Sequence, residues 1–264
     1  MTLPIPIDQL LNLIREAGEA ILEIYDTEFE IETKQDNSPL TAADLAAHQL
    51  IVSTLERLTP EIPVLSEESA KVPFATRSSW QRYWLIDPLD GTREFVKRNG
   101  EFTVNIALID GHRPSFGAVY APVIKTLYYG IPGQSASKQI GNQPPQRISV
   151  TANCQKPARV AGSRSHAGDS LQRFLDNLGE HELVSMGSSL KLCLVAEGMA
   201  DIYPRLGPTS EWDTGAAQAV VEAAGGEVTT LQGETLRYNT KDSLLNPHFL
   251  VFGDTSIEWT GYLG

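Results

Sequence analysis

Apolar residues recur every three to four positions in two stretches near the N-terminus. The first covers residues 8–25, where Asp8 is placed to act as the N-cap of a helix. The second covers residues 41–58, where Thr41 and Asp44 have the spacing of a capping box. The pattern therefore predicts two amphipathic helices, the second of which starts near Thr41.

Short apolar segments bounded by turn residues come after the two helices, and Asp110-Gly111 lies between two of them as a hairpin signal. The segments predicted as strands are residues 62–66, 83–87, 103–110, 114–120, 126–130, 147–150, 159–162, 183–186, 200–203 and 249–252. In the second half these strands alternate with helical segments at 168–178, 188–197 and 213–224. This alternation is typical of an α/β fold.

Residues 131–146 are rich in Pro, Gly, Ser and Gln, which predicts a loop and a domain boundary. A chain of 264 residues can form one large domain or two moderate ones. We therefore expect an N-terminal α+β half at residues 1–146 and a C-terminal α/β half at 147–264.

Composition and charge narrow the class of protein. Hydrophobic residues make up 41% and charged residues 20%, as in soluble globular proteins, and the net charge of −12 opposes binding to nucleic acid polymers or anionic lipid. The chain has no apolar run long enough to span a bilayer, and its N-terminus lacks the pattern of a secretory signal. Cys154 and Cys193 are far apart and outside any CxxC motif, so we expect a cytoplasmic protein without a structural zinc site.

Carboxylates recur at strand ends and helix starts. They are Glu67 and Glu68 in LSEES, Asp87 and Asp90 in WLIDPLDGT, and Asp213 in EWDTGAAQ. The turn at Pro88 lets two of these carboxylates converge on one side of a tight loop. A cluster of oxygen ligands suits Mg²⁺ or Mn²⁺ better than zinc.

Simpler interpretations of the same residues stay open. Asp-Pro-x-Asp-Gly also forms an ordinary turn, in which the carboxylates accept backbone N–H groups. Asp213 can be the N-cap of the following helix, and Glu67-Glu68 can be a solvated acidic loop. Asp44 can be a capping residue only.

Seven segments together resemble one known family. The segments DNSPLTAAD, LSEES, WLIDPLDGTREFVKRNGEFTVNIALI, GSRSH, GSSLK, YPR and EWDTGAA resemble the inositol monophosphatase-like, lithium-sensitive phosphatases, and within them the bisphosphate nucleotidase branch. The resemblance runs from the first helix nearly to the C-terminus, and Arg93 stands where many relatives carry Lys. It implies an α/β fold, an alternating α/β/α/β/α layered sandwich of the sugar-phosphatase type, in which residues 1–146 form a metal-binding half and residues 147–264 a nucleotide-binding half.

The resemblance also implies a magnesium site. Glu67, Asp87 and the backbone carbonyl of Leu89 would hold one Mg²⁺, and Asp87, Asp90 and Asp213 would hold a second. Two or three ions are expected, with Mn²⁺ as a substitute and Li⁺ as an inhibitor. Two ions bridged by a carboxylate can clamp the attacking and leaving oxygens of a phosphoryl transfer.

For catalysis, the resemblance implies an attacking water that Thr92 orients, with Asp44 behind the threonine hydroxyl. Glu67 belongs to the same catalytic set, and Glu68 would support the metal site through water. The N–H groups of Gly91 and Thr92 would point at the phosphate from the start of a helix.

An anionic substrate needs local cations in a chain of net charge −12. His166, Lys191 and Arg205 match positions that contact the nucleotide in relatives, with Ser188 as a hydroxyl donor. The full substrate-binding set is Glu67, Leu89, Asp90, Gly91, Thr92, His166, Ser188, Lys191, Arg205 and Asp213. We expect Arg and Lys to bind the 5′-phosphate and the metals to bind the 3′-phosphate.

The resemblance thus implies a Mg²⁺-dependent phosphatase that converts adenosine 3′,5′-bisphosphate (PAP) to AMP in sulfate assimilation, with the conversion of the sulfated analogue PAPS to adenosine 5′-phosphosulfate as a further reaction. The alternatives are an inositol monophosphatase or sugar bisphosphatase of the same superfamily, or a non-catalytic nucleotide or metal sensor. The expected partner is a small molecule, with no obligate protein partner. Oligomeric state and association with the cytoplasmic face of the inner membrane stay open.

Overall fold

The computed structural model describes residues 2–27, 39–69, 71–162 and 169–264. The helices in these ranges are α1 Ile7–Tyr25, α2 Pro39–Leu58, α3 Phe74–Arg77, α4 Thr92–Val96, α5 Asp169–Leu178, α6 Leu190–Ala196 and α7 Glu211–Ala223, with 3₁₀ turns at Glu67–Ser69 and Trp259–Tyr262. The strands are β1 Val64–Ser66, β2 Arg82–Asp90, β3 Thr103–Asp110, β4 Arg113–Ala121, β5 Thr126–Ile131, β6 Ser135–Ile140, β7 Gln146–Ile148, β8 Ala158–Gly162, β9 His181–Ser185, β10 Ile202–Arg205, β11 Glu227–Thr230 and β12 Phe249–Phe252.

The strands form two sheets. The first has the order β1-β2-β3-β4-β5-β6-β7 and is antiparallel except for the parallel pair β1/β2. The second has the order β11-β12-β10-β8-β9, in which β8 is parallel to both of its neighbours. The predicted hairpin at Asp110-Gly111 is confirmed as the turn between β3 and β4.

Alternate side chains of β2 pack into two different cores. Trp84 and Ile86 lie in the core that contains α1 and α2, whereas Tyr83 and Leu85 lie in the core that contains α6 and α7. Successive residues of a strand point to opposite faces, so a sheet covered on both sides reads as a continuous apolar run. The large sheet is therefore covered by helices on both faces.

The smaller sheet adds the remaining layers. Its β10 and β12 contribute to the core with α6 and α7, and its other face packs against α5 through Val160, Leu250 and Phe174. The order of layers is α/β/α/β/α, which confirms the predicted fold class. The central helices α6 and α7 lie between the two sheets and contact both.

Close contact between α7 and the large sheet depends on Gly117 of β4. A Cβ atom at Gly117 would lie 2.0 Å from the backbone oxygen of Ala216, so no larger residue fits there. This contact sets the position of α7, and with it the position of Asp213 in its first turn.

Three boundary predictions are wrong. Pro6, not Asp8, precedes α1, and Asp8 lies in the first turn, where an acidic side chain favours the helix dipole. Helix α2 begins at Pro39 rather than near Thr41, in keeping with the preference of proline for the first helical position. The predicted loop at 131–146 contains β6, whose polar composition reflects its exposed positions.

Strand β7 runs across the predicted boundary at 146/147 and pairs with β6 in the first sheet. The division into halves at that point stays a prediction. No helix in the described ranges is long and apolar enough to cross a membrane.

Candidate active site

The end of β2 carries two of the predicted carboxylates. The strand continues through Pro88 to Asp90, and its register against β3 shifts between Asp87 and Asp90. The prediction that the strand ends at Asp87 is therefore wrong by three residues, because the irregularity is absorbed as a bulge. The N–H of Leu89 donates to Oδ1 of Asp87 at 3.1 Å, so the ordinary-turn interpretation is correct for this contact.

Parallel pairing of β1 with β2 places Glu67 next to Asp87. Ser66 is the register partner of Ile86, and Glu67 and Asp87 each follow these two partners by one position. After burial and the charge of Asp90, the charge of Glu67 contributes to raising the pKa of Asp87, so the two carboxyl groups lie close enough to repel each other.

Asp213 enters the cluster from α7. The helix has Ser210 as its N-cap, and the N–H of Ser210 donates to Oδ2 of Asp213 at 3.0 Å in a reciprocal capping box. The alternative that Asp213 is itself the N-cap is therefore wrong, because Asp213 is the third residue of the helix.

Asp44 lies on α2. Its side chain is buried close to Glu68, whose charge acts on it, and its Oδ1 has no hydrogen-bond partner. Thr92 is the first residue of α4 and is exposed. The Glu68 contact differs from a capping role, while the expected pairing of Asp44 with Thr92 stays a prediction.

Burial and mutual repulsion raise the pKa of several carboxyl groups in this cluster. Burial, followed by the charge of Glu68, raises the pKa of Asp44 to about 8. Burial and the charge of Asp90 raise the pKa of Glu67 and of Asp213 to about 7 each. The same two causes raise the pKa of the fully buried Asp87 well above its usual value. The site therefore concentrates more negative charge than its own surroundings compensate.

The donor set fits a hard divalent cation. It consists of carboxylate oxygens, with the backbone carbonyl of Leu89 between Asp87 and Asp90 in the sequence. In the part of the chain that the structure describes, no three His, Cys, Asp or Glu side chains converge into a complete metal-binding group. Mg²⁺ commonly completes its coordination with waters and phosphate oxygens, so such a site does not need three converging side chains from the protein alone.

The loop between β2 and α4 has the expected geometry. Gly91 adopts a left-handed conformation, with φ at 96°, and immediately precedes α4. The N–H of Phe95 donates to the carbonyl of Gly91 at 2.9 Å, so α4 is bonded from its first turn. The prediction that the chain enters a helix after Asp90 is confirmed.

A cavity of about 650 Å³ connects this loop to the second half of the chain. Its wall includes side chains or backbone from α4, α6, α7 and β10, and seven of the predicted site residues: Asp90, Gly91, Thr92, Ser188, Lys191, Arg205 and Asp213. Leu89 is buried at the end of β2 beside this wall. His166 lies outside the described residues.

The cationic side chains of Lys191 and Arg205 line the same cavity. Lys191 is buried, and its Nζ donates to the carbonyl of Ser188 at 2.7 Å and lies 5.7 Å from the centre of the Tyr203 ring. Burial lowers the pKa of Lys191 to about 8. Arg205 donates from Nη2 to the carbonyl of Pro208 at 2.6 Å, while its buried Nε has no partner. The Oγ of Ser188 is likewise buried without a partner. These unsatisfied groups can bind an anionic ligand.

Sequence reasoning missed two polar residues at the centre of this arrangement. Asn105 and Ser189 are both buried and are joined by a hydrogen bond of 2.9 Å from Asn105 Nδ2 to Ser189 Oγ. The signal for Asn105 was a single amide inside an otherwise apolar strand, VNIALI. Ser189 had no comparable signal, because its partners are remote in sequence.

The fold and the carboxylate site together define a class of phosphatase. The sequence profile of the inositol monophosphatase family matches residues 6–254. This chain therefore belongs to the inositol monophosphatase family, whose members are generally metal-dependent phosphatases.

Individual proteins of known sequence and structure show which members of the family this chain resembles. The chain is 52% identical over 247 residues to the 3′(2′),5′-bisphosphate nucleotidase CysQ of Salmonella typhimurium, covering 93% of this chain and 98% of that protein. The crystal structure of CysQ from Bacteroides thetaiotaomicron, a bacterial member of the inositol monophosphatase family, superposes with a TM-score of 0.83 at 44% identity, covering 92% of this chain and 95% of that one. An inositol monophosphatase from Zymomonas mobilis has the same fold at 23% identity, with a TM-score of 0.79 over 96% of this chain and 95% of that one.

Proposed function

We propose that this chain is a metal-dependent 3′(2′),5′-bisphosphate nucleotidase that removes the 3′-phosphate of adenosine 3′,5′-bisphosphate to give AMP. The observation that carries the proposal is the cavity of about 650 Å³, which is lined both by the carboxylates Asp90 and Asp213 and by the cationic side chains Lys191 and Arg205. A substrate with two separated phosphates has the charge distribution that such a cavity complements. The curated relatives with this name support the same assignment.

The metal is proposed to be Mg²⁺, with Mn²⁺ as a substitute and Li⁺ as an inhibitor. Glu67, Asp87 and the carbonyl of Leu89 would hold one ion, and Asp87, Asp90 and Asp213 a second; a third ion would need further oxygens from water and substrate. When bound, these cations supply positive charge that stabilises the charge developing on the phosphoryl group. The raised pKa values of Asp87 and Asp213 support this assignment, because they mark carboxylates that lack compensation.

The chain's own groups orient the reacting phosphate and water. The N–H groups of Gly91 and Thr92 would bind phosphate oxygens at the start of α4. Thr92 would orient the attacking water through its hydroxyl, with Asp44 and Glu67 as the carboxylates that support this orientation and receive the proton. Glu68, whose charge acts on Asp44, would support the metal site through water.

The second phosphate would lie near α6 and β10. Lys191 and Arg205 would bind the 5′-phosphate, with Ser188 donating from its hydroxyl and His166 as a further ligand. The buried, unpartnered Nε of Arg205 and Oγ of Ser188 support this placement. The sulfated analogue PAPS carries the same 3′-phosphate and is proposed as a second substrate. We place the reaction in sulfate assimilation in the cytoplasm, with small molecules as the only partners it requires.

The decisive assay measures phosphate release from adenosine 3′,5′-bisphosphate, with inositol 1-phosphate and fructose 1,6-bisphosphate in parallel. Each substrate is tested with Mg²⁺, with EDTA, and with Mg²⁺ plus Li⁺. We expect Mg²⁺-dependent, Li⁺-sensitive release with preference for the nucleotide. Preference for either of the other substrates would be consistent with the proposed metal site but would contradict the assignment of the nucleotide as substrate.

A non-catalytic sensor is distinguished by the Asp90→Asn variant. Loss of phosphate release with retained nucleotide binding in this variant supports the enzyme, because the carboxylate is then needed for chemistry rather than for binding. Nucleotide binding by the wild-type protein without release of phosphate from any substrate would instead support the sensor.

A further inference from the structure

Three protein groups donate to one oxygen of Asp90. The backbone N–H of Ser189 and its hydroxyl each lie 2.6 Å from Oδ2 of Asp90, and the hydroxyl of Thr103 lies 3.5 Å from the same atom. Ser189 immediately precedes α6, whereas Asp90 ends β2, so the contact joins segments 99 residues apart. One oxygen of this carboxylate is thus held by the protein.

Asn105 holds Ser189 in turn. The Nδ2 of Asn105 donates to Ser189 Oγ at 2.9 Å, and the two side chains are 1% and 2% exposed. Asn105 lies on β3 directly opposite Asp87 in the β2/β3 pairing. Because the amide fills one lone pair of the hydroxyl oxygen, the single hydroxyl proton is left to point at acceptors on the other side.

The hydroxyl has two acceptors within reach. Besides Asp90 Oδ2, the backbone carbonyl of Asp213 lies 2.6 Å from Ser189 Oγ. One proton cannot serve both fully, so Ser189 links the two carboxylate-bearing segments β2 and α7 through a shared donor. If the partners of Asp90 change, the Ser189 hydroxyl can rotate from Asp90 Oδ2 to the carbonyl of Asp213.

We propose that Ser189 and Asn105 are positioning residues of the cation site. Asn105 orients the Ser189 hydroxyl, and Ser189 holds Oδ2 of Asp90, so that Oδ1 is the oxygen presented to the cation. Hydrogen bonds that orient a metal-binding carboxylate typically change metal affinity by about 10–100-fold when removed. The inference rests on the proposed metal-dependent function and identifies which described residues prepare its site.

The test measures Mn²⁺ binding to the full chain by calorimetry without substrate, so that it does not depend on turnover. The variants are Ser189→Ala, Asn105→Ala and the double variant. Ser115→Ala is the matched control, because it removes a serine hydroxyl that donates to the carbonyl of Leu108 at 3.0 Å in the same sheet. Urea unfolding in EDTA measures the stability of every variant.

We expect Ser189→Ala to weaken Mn²⁺ binding by about 10-fold or more, and Ser115→Ala to leave it unchanged. Asn105→Ala should weaken binding less, and it should add almost nothing in the Ser189→Ala background, because the amide acts through the hydroxyl. In phosphate release, saturating metal should restore most of the kcat of Ser189→Ala, whereas a merely structural defect would persist at any metal concentration.

Wild-type affinity in Ser189→Ala, or fully additive effects of the two substitutions, would overturn the positioning proposal. If Ser189→Ala does not fold, the Asn105→Ala variant takes its place: wild-type Mn²⁺ affinity in that variant would also overturn the positioning proposal. Failure of the wild-type protein to bind Mn²⁺ is a different result, since it would overturn the proposed function itself.

Discussion

Asp213 accepts the backbone N–H of Ser210 at 3.0 Å and thereby closes the cap of α7 with one of its carboxylate oxygens. The same side chain belongs to the carboxylate cluster, where the charge of Asp90 and its own burial raise its pKa to about 7. A helix cap and a proposed metal ligand therefore share one residue. The two roles make different demands, because a neutral amide oxygen can accept the hydrogen bond of the cap but supplies no negative charge to the cation.

Replacement of Asp213 by Asn separates these roles. The amide oxygen can still accept the Ser210 N–H, so we expect the melting temperature at pH 8 in EDTA to stay the same or to rise. Phosphate release should fall by more than the roughly 10–100-fold that outer contacts of a metal site contribute. Glu222→Gln, at the other end of α7, is the control. Normal phosphate release by Asp213→Asn would show that Asp213 is not a metal ligand.

The raised carboxyl pKa values predict the pH dependence of the metal-free protein. Asp44 has a folded-state pKa of about 8, and Glu67 and Asp213 of about 7, against about 4 in the unfolded chain. Between pH 4 and 8 the folded state binds more protons, so the free energy of unfolding decreases as the pH rises through this window. We expect a lower melting temperature at pH 8 than at pH 6 in EDTA.

Magnesium should reverse this trend, because a divalent cation compensates the carboxylates once they are ionised. The increase in melting temperature on adding Mg²⁺ should be larger at pH 8 than at pH 6. Asp44→Asn should reduce the dependence of the melting temperature on pH in EDTA, because it removes a carboxyl group whose folded-state pKa is about 8. A melting temperature in EDTA that rises from pH 6 to pH 8 would show that the cluster is already compensated by other means.

Gly91 combines a left-handed backbone with close packing. Its φ is 96°, and an added Cβ would lie 3.2 Å from the Cα of Phe102 and 3.2 Å from the Cβ of Ser188. We expect Gly91→Ala to lower the free energy of unfolding by more than the approximately 1–2 kcal/mol of the conformational penalty alone. We also expect it to abolish phosphate release. Urea unfolding and phosphate release measure the two effects.

Gly111 provides the matched control for this substitution. It also has a positive φ, of 56°, but an added Cβ would have no neighbour within 4 Å. Gly111→Ala should therefore show the conformational penalty alone and keep normal activity. Equal losses of stability in the two variants, with normal activity in Gly91→Ala, would exclude a special role for the loop between β2 and α4.

We predict that Arg205 sets the preference for a nucleotide with two phosphate groups over a nucleotide with one. Arg205→Ala should lower the preference for adenosine 3′,5′-bisphosphate over 3′-AMP by about 10-fold or more, because a charge-assisted hydrogen bond to the 5′-phosphate is lost. Ratios of kcat/KM for the two substrates measure this effect, with the exposed Arg237→Ala as control. Unchanged selectivity would move the 5′-phosphate to other groups of the cavity.

Local patterns were sufficient for most elements and for the acidic positions. Strand segments such as Thr103–Asp110 and Phe249–Phe252 were predicted with the bounds that the structure has, since apolar runs between turn residues are local signals. The order of Glu67, Asp87, Asp90 and Asp213 in their motifs identified the carboxylate cluster. The polar window that hides β6 misled the prediction, because that strand is stabilised by pairing rather than by burial of its side chains.

The sequence by itself determined which residue types could bind a cation and a phosphate, because these properties belong to individual side chains and short motifs. Only the tertiary structure decided how those groups are oriented. The parallel pairing of β1 with β2 sets Glu67 beside Asp87, and Ser189 reaches Asp90 across 99 residues of chain. Such contacts arise from the packing of distant segments, and no periodicity or local spacing encodes them.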